Sequence, residues 1–235
     1  MLTQTAIRAV PSRRSTVSTH GAPPASGPTD REAGALEQTM RLMGAMMSYS
    51  RNSEIFGENE PAEYLYKVVT GSVRTYKILS DGRRQIGGFY LPGDIFGLEF
   101  AAEHTFSAEA ITDAKVLVVK RGALNAQANG SALLARELFT LTGHELRRVQ
   151  DRMLLLVKSA QERVASFLLE MADRGSASNA VELPMSRQDI ADYLGLTIET
   201  VSRTLTCLEG TAAIEVPTSR RIVLRNRSAL SRLNS

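Results

Sequence analysis

Tryptophan is absent from the 235 residues, cysteine occurs once and histidine three times. The single thiol, Cys207, excludes an internal disulfide framework and any metal or iron–sulfur centre held by several cysteines of one chain. His20, His104 and His144 lie far apart on different predicted segments. No His-x-His pair, Gly-x-Ser-x-Gly elbow or phosphate loop occurs, so neither a metal nor a cofactor is expected. No apolar run approaches 18 residues, so no membrane span is expected. The N-terminus has no hydrophobic signal core, which leaves the cytoplasm as the expected location. An excess of 28 Lys and Arg over 25 Asp and Glu is too small to announce a nucleic-acid partner; the placement of those charges must decide.

What is present divides into segments. Residues 1–35 are rich in Ser, Thr, Pro, Ala and Gly and read as a disordered, solvated tail, with an Arg/Ser content that also mimics a transit peptide. Residues 36–130 have the texture of a small β domain. Glu63–Thr70, Ser72–Leu79, Arg84–Tyr90 and Lys115–Lys120 are rich in Val, Ile, Tyr and Leu and predict short strands. Asp81-Gly82 predicts a type I′ hairpin turn, with positive φ at both residues. An antiparallel β-roll or jelly roll follows from such closely spaced strands.

From Ser131 to Asp173 the pattern is helical. Over 131–158, Phe139, Leu146 and Met153 recur every seven residues, with Thr142, Val149 and Leu156 three residues after each. The stripe is either a face packed on the chain's own sheet or a seam joining two copies. The polar stretch Gly175–Ala180 predicts a loop within the last unit, residues 159–235.

That unit carries the most informative segment. Arg187–Leu205 reads as two short helices around a tight turn. Ser186 and Asp189 form a capping-box-like pair, Ala191 is small where the helices must cross, Gly195 suits the left-handed residue after the first helix, and Thr197 caps the second. These are the demands of a helix-turn-helix, whose second helix enters the DNA major groove. Val201, Leu205 and Leu208 form its inward stripe. Ile198 heads that stripe and also sits in the turn that meets base edges. Glu199, Ser202 and Arg203 face outward: Arg can reach guanine O6 and N7, and Glu can accept from cytosine N4. An outward Glu is repelled by phosphates unless it reads a base.

Ala213–Val216 and Arg221–Leu224 predict a β-hairpin wing around Pro217–Arg220. From Arg220 to Ser235 there are five arginines and no acid, a run that suits phosphate contact.

A β-roll, a long helix and a winged helix-turn-helix containing Glu199-Thr-Val-Ser-Arg203 together resemble the CRP/FNR transcription regulators over about residues 36–235. Leu194-Gly-Leu-Thr-Ile-Glu-Thr-Val-Ser-Arg203 is similar to the FNR branch, and the stretch through Pro217-Thr-Ser-Arg-Arg-Ile-Val-Leu-Arg-Asn-Arg227 to its rhizobial FixK-type group. The resemblance implies an α+β chain: an N-terminal antiparallel β-roll, a long dimerisation helix and a C-terminal winged helix-turn-helix. It implies a homodimer joined at Phe139, Thr142, Leu146, Val149, Met153 and Leu156. Ile198, Glu199, Ser202 and Arg203 would read a TTGA…TCAA palindrome in double-stranded DNA. Phosphates would be met by Ser186, Arg187, Thr197, Thr200, Arg220 and Arg221. RNA polymerase would be touched through the turn Asp81-Gly82-Arg83-Arg84, where relatives are more acidic. The genes controlled would be those of microoxic, anaerobic or nitrogen-fixing growth.

The family's sensory devices are absent by residue. CRP-like members hold cyclic AMP with a Glu and a downstream Arg. The matching stretches here are Gly97-Leu98-Glu99 and Phe106-Ser107-Ala108, with Phe in place of the Arg that neutralises the phosphate. The cysteines of an FNR cluster are missing. Haem-binding members use a β-roll His, but His104 stands alone on a loop-like stretch and reads as structural or exposed. An unidentified small effector, a repressor role, and a β-roll metal enzyme with an appended DNA-binding domain are the alternatives. Cys207 lies one helical turn after Arg203 and is either a half-buried packing residue or a redox thiol beside a DNA phosphate.

Overall fold

Short runs of Val, Ile, Tyr and Phe punctuated by turn residues favour strands, and the first half of the chain is built from them. The computed structural model describes residues 34–99, 101–155, 157–175 and 179–234. Helix α1 (Ala35–Met43) leads into β1 (Ala45–Tyr49), β2 (Glu54–Phe56), β3 (Tyr64–Thr70), β4 (Val73–Ile78), β5 (Arg84–Tyr90), β6 (Ile95–Phe96), β7 (Ser107–Ala110) and β8 (Ala114–Lys120). Two four-stranded antiparallel sheets result, ordered β1-β8-β3-β6 and β2-β7-β4-β5. Phe56, Val73, Ala108 and Ala110 of one sheet pack against Tyr66, Val68, Phe96 and Val116 of the other, which is the interior of the β-roll. The four strands expected from sequence are all present, with ends moved by a residue or two. The predicted tail lies outside the described residues up to position 33, and its last residue, Ala35, already opens α1.

The β4–β5 turn differs from expectation. Gly82 is left-handed at φ +81°, but Asp81 is not among the residues with positive φ. Gly82 N–H donates to the Leu79 carbonyl at 2.9 Å, and Leu79 N–H to the Arg83 carbonyl at 2.8 Å. A three-residue loop, with glycine supplying the left-handed position, therefore replaces the type I′ turn.

Helix α2 (Arg121–Asn129) precedes α3 (Ala132–Leu155) and α4 (Ala160–Arg174). The helical stretch is thus two helices. Ser159 accepts from Glu162 N–H, and the Glu162 carboxylate returns to Ser159 N–H at 2.6 Å, a full capping box that starts α4 afresh. Then come β9 (Ala180–Glu182), α5 (Arg187–Leu194), α6 (Ile198–Gly210), β10 (Ile214–Thr218), β11 (Arg221–Leu224) and α7 (Arg227–Asn234), with a sheet ordered β10-β11-β9. The wing turn is tighter than expected. Strand β10 runs through Pro217 to Thr218, which pairs with Arg221, and Pro217 sits where the register shifts and no ladder N–H is required.

Ile86, Phe89 and Ile111 of the β-roll belong to the same buried cluster as Phe167, Tyr193 and Leu194 of the C-terminal unit. The Phe89 ring is 1% exposed, 5.1 Å from Tyr193 and 6.2 Å from Phe167 between ring centroids. Burying one such ring is worth roughly 1.5–3 kcal/mol. The β-roll and the helix-turn-helix therefore share a core.

Candidate nucleic-acid interface

Each local requirement of the helix-turn-helix is met in atoms. The Ser186 hydroxyl accepts from Asp189 N–H at 3.1 Å, while the Asp189 carboxylate accepts from Ser186 N–H at 2.9 Å. Gly195 takes φ +64° and ψ +40°, the left-handed conformation that ends α5. The Thr197 hydroxyl accepts from Thr200 N–H at 3.2 Å and caps α6. Ala191, Val201 and Leu208 are fully buried, so α5 and α6 meet closely through small and branched side chains.

The opposite face of α6 is exposed at Glu199, Ser202, Arg203, Thr206 and Cys207, successive positions on one helical stripe. Ile198, at the first position of α6, is 37% exposed, so it stands at the edge of the outward set and is not buried with Val201, Leu205 and Leu208. The Ser202 hydroxyl donates to the Ile198 carbonyl at 2.8 Å and keeps its lone pairs for a donor outside. The Glu199 carboxyl is held below the usual range by its own N–H at the helix start, by the Thr197 hydroxyl and by Arg203 one turn on, so it is ionised. Cys207 is exposed, unlike a half-buried packing residue.

Among the expected phosphate contacts, Thr197 and Ser186 are exposed but spend their hydroxyls on helix caps. Arg187 is half-buried, and its Nη1 has no hydrogen-bond partner. The arginine-rich end is less free than its sequence suggests. Arg221 faces Glu182 at 3.5 Å, Arg225 is paired with Glu215, and Arg227 with Asp173. Acids from β9, β10 and α4 thus pair with Arg221, Arg225 and Arg227, so the terminal excess counted along the chain overstates the positive field there. Arg220, at the wing turn, donates to the Pro184 carbonyl at 3.0 Å.

Helix α3 carries two apolar stripes. Leu134 is buried, and Leu138 and Leu141 pack partly, against the chain's own core. The other stripe is left uncovered by the described residues: Phe139 is 79% exposed, Leu146 59%, Val149 53% and Met153 63%. Thr142, between them, is half-buried and donates to the Leu138 carbonyl at 3.0 Å. Leu156 lies outside the described residues. The heptad residues therefore do not cover the chain's own sheet.

Comparison with known proteins gives the family. Residues 162–233 match the Crp-like helix-turn-helix domain and residues 46–130 the cyclic nucleotide-binding domain. The nitrogen fixation regulation protein FixK of Azorhizobium caulinodans is 51% identical over 217 residues, 90% of this chain and 88% of the relative. This chain belongs to the CRP/FNR family of transcription regulators and is of the FixK type. The FixK protein of Rhizobium meliloti is 42% identical over 187 residues, 79% of this chain and 85% of its own. The solved structure of FixK2 from Bradyrhizobium japonicum is 53% identical, with a TM-score of 0.79, over 82% of this chain and 98% of that one. These relatives are regulators, and this FixK-type chain is a regulator rather than an enzyme. No helix among its described residues is long and apolar enough to cross a membrane.

A FixK-type regulator inherits the cyclic nucleotide-binding fold, but its residues do not fit the nucleotide. Phe106, standing where a phosphate-binding Arg would be expected, lays its ring against β5, so that a β-carbon on Gly87 would lie 2.9 Å from it. Ser107 Oγ is taken by Glu58 N–H at 2.9 Å, and the Glu99 carboxylate by His104 Nδ1 and Thr105 N–H, each at 3.1 Å. With Phe106 in place of the expected Arg, these stretches offer a cyclic phosphate no guanidinium, and burying the phosphate without one is costly. His104 is buried on the loop before β7, stacked on Phe56 with ring centroids 3.6 Å apart; of the two expectations, structural or exposed, it is the structural one, held inside the roll by Glu99 and the aromatic stack.

Sequence reasoning missed one group altogether. Arg74, mid-strand on β4, is buried and reaches Asp189 of α5 and Glu109 of β7. Its only advance signal was a charge inside a strand of otherwise apolar texture. Within the turn assigned to polymerase, Arg83 is exposed and paired with Asp81, whereas Arg84 bends inward to Asp189 and Asp192.

Proposed function

We propose that the chain acts as a homodimer that reads a TTGA…TCAA-type palindrome and activates genes of microoxic, anaerobic or nitrogen-fixing growth through contact with RNA polymerase. The observation that carries this reading is the exposed face Glu199–Ser202–Arg203 on a capped helix. An ionised Glu and an Arg one turn apart offer an acceptor for cytosine N4 and a donor pair for guanine, the complement of one G·C pair and its neighbour. The uncovered stripe on α3 supports the second copy, because a twofold protein matches a palindrome. The relatives named for regulation of nitrogen fixation support the gene class. Arg187 and Arg220 are the phosphate contacts, Thr197 and Thr200 helping at the start of α6; Asp81, Gly82 and Arg83 remain presented for polymerase.

Selection of bound sequences from random duplex DNA by the pure protein tests site and symmetry together. An enriched inverted repeat with TTGA arms is expected. Enrichment of a single unpaired motif, or of none, would remove the reading.

Cys207 shares the DNA-facing stripe. Peroxide oxidising its thiolate to a sulfenic acid, itself reduced to water, would add bulk and polarity beside the backbone. Peroxide is expected to weaken operator binding of the wild type and to spare Cys207→Ser. Equal sensitivity of the two proteins would sink the idea.

A further inference from the structure

We infer that Arg74 and Arg84, acting through Asp189, are positioning residues for DNA recognition: they clamp the helix-turn-helix to the β-roll at one angle and so aim α6. This rests on the paired-site reading above.

The Asp189 carboxylate accepts from groups on two parts of the molecule. Its Oδ1 takes Arg74 Nη1 at 3.1 Å and Arg84 Nη2 at 2.6 Å. Its Oδ2 takes Arg74 Nη1 at 3.2 Å, Ser186 N–H at 2.9 Å and the Ser186 hydroxyl at 2.8 Å. One oxygen pair thus caps the first helix of the DNA-binding motif and anchors that helix to strands β4 and β5. Burial alone would raise this carboxyl, but Ser186, Arg74 and Arg84 outweigh it and hold it below the usual value. Arg84 Nε adds Asp192 at 2.8 Å, Gln85 donates to the Asp192 carbonyl at 2.8 Å, and Arg74 Nη2 reaches Glu109 at 2.9 Å.

The other contacts between the two parts are the apolar packing of Phe89, Tyr193 and their neighbours, and one polar tie from α4, where Arg174 Nη2 donates to the Phe89 carbonyl at 2.8 Å and pairs with Asp94. Apolar packing is non-directional and tolerates a small rotation of one part on the other. Hydrogen-bonded charges do not, because each arginine fork must meet its carboxylate in a fixed geometry. Among the described residues α6 shows no hydrogen bond or ion pair of its own to the roll; it packs on α5 and α4 and takes its angle from them, α5 being the one that abuts β5. A half-site is read by one α6 alone. A palindrome demands two α6 helices one turn of DNA apart, so it senses an angular error that a half-site does not.

Binding of the full-length chain to a palindromic operator and to a duplex with one half-site separates these effects. Arg84→Ala is expected to lose on the order of tenfold or more on the palindrome while its half-site affinity stays within about twofold. Arg84→Lys, which keeps one charge, should recover part of the loss, and it carries the same comparison if Arg84→Ala does not fold. Unchanged palindrome affinity, or equal losses on both duplexes, would overturn the clamp, since a purely structural role moves thermal stability and not the ratio. A wild type that fails to prefer the palindrome would overturn the paired-site reading, and this one with it.

Discussion

Leu146→Glu combined with Val149→Glu is expected to give a folded monomer that binds its operator about a hundredfold to ten-thousandfold more weakly than the wild type. The two side chains are 59% and 53% exposed on α3, so neither holds up its own chain. Glutamate is a good helix former, and the helix should persist. In a paired helix these positions fall at the centre of the seam, where four carboxylates would be brought together and stripped of water. What is lost is the linkage of two weak half-site contacts into one strong one, not any contact with DNA. Sedimentation of the pure variant, read beside fluorescence anisotropy on the operator, checks both halves. A variant that still sediments as a dimer would place the seam elsewhere; a monomer with wild-type operator affinity would dissociate the seam from DNA binding.

The helix-turn-helix was legible nearly atom by atom because its constraints are local. Ser186, Asp189, Gly195 and Thr197 each satisfy a backbone group within three or four residues, so spacing alone specifies their partners. The strands were legible for a similar reason, as β-branched and aromatic runs between turns. Long-range pairing was not. Arg225 sits in an acid-free stretch of sequence yet meets Glu215 across the wing, and Arg227 meets Asp173 of α4. Arg74 and Asp189 are 115 positions apart, and nothing in either neighbourhood names the other. The turn at Asp81-Gly82 shows the intermediate case. The glycine was correctly read as left-handed, but loop length, set by pairing across the whole hairpin, decided that Asp81 would not be. Helices α1, α2 and α7 escaped because they are short and their apolar stripes are brief.

The same distinction shapes the apolar stripe of α3. Its heptad spacing was visible, but spacing cannot tell a face packed on its own domain from one awaiting a partner. Leu134, Leu138 and Leu141 are the residues that turn inward, about a quarter of a turn away from the heptad line, and only the fold shows that they satisfy the domain and leave Phe139 and Met153 bare. An uncovered stripe of that kind marks an association surface in a chain otherwise competent to bury its core.

Arg203→Ala is expected to cost about 1–3 kcal/mol per half-site, hence roughly twice that on a palindrome read by both copies, and to relax the preference at one base of each arm. Arg203 is exposed in the second turn of α6, on the face opposite buried Val201, Leu205 and Leu208, so its loss should leave the fold in place. Two effects then add. The donor pair for guanine disappears, and the Glu199 carboxylate, which Arg203 helps to hold ionised, faces the phosphates without its neighbouring cation. Arg220→Ala is the contrast. Its side chain lies at the wing turn, away from α6, and as a phosphate contact it should weaken all sequences alike and lower the salt dependence by about one unit of slope. Repeating the random-duplex selection with each variant, together with affinities across a salt series, separates the two. If Arg203→Ala retains the full base preference and merely weakens binding, α6 meets the groove in a different phase and the reading face must be reassigned to its neighbours on the helix.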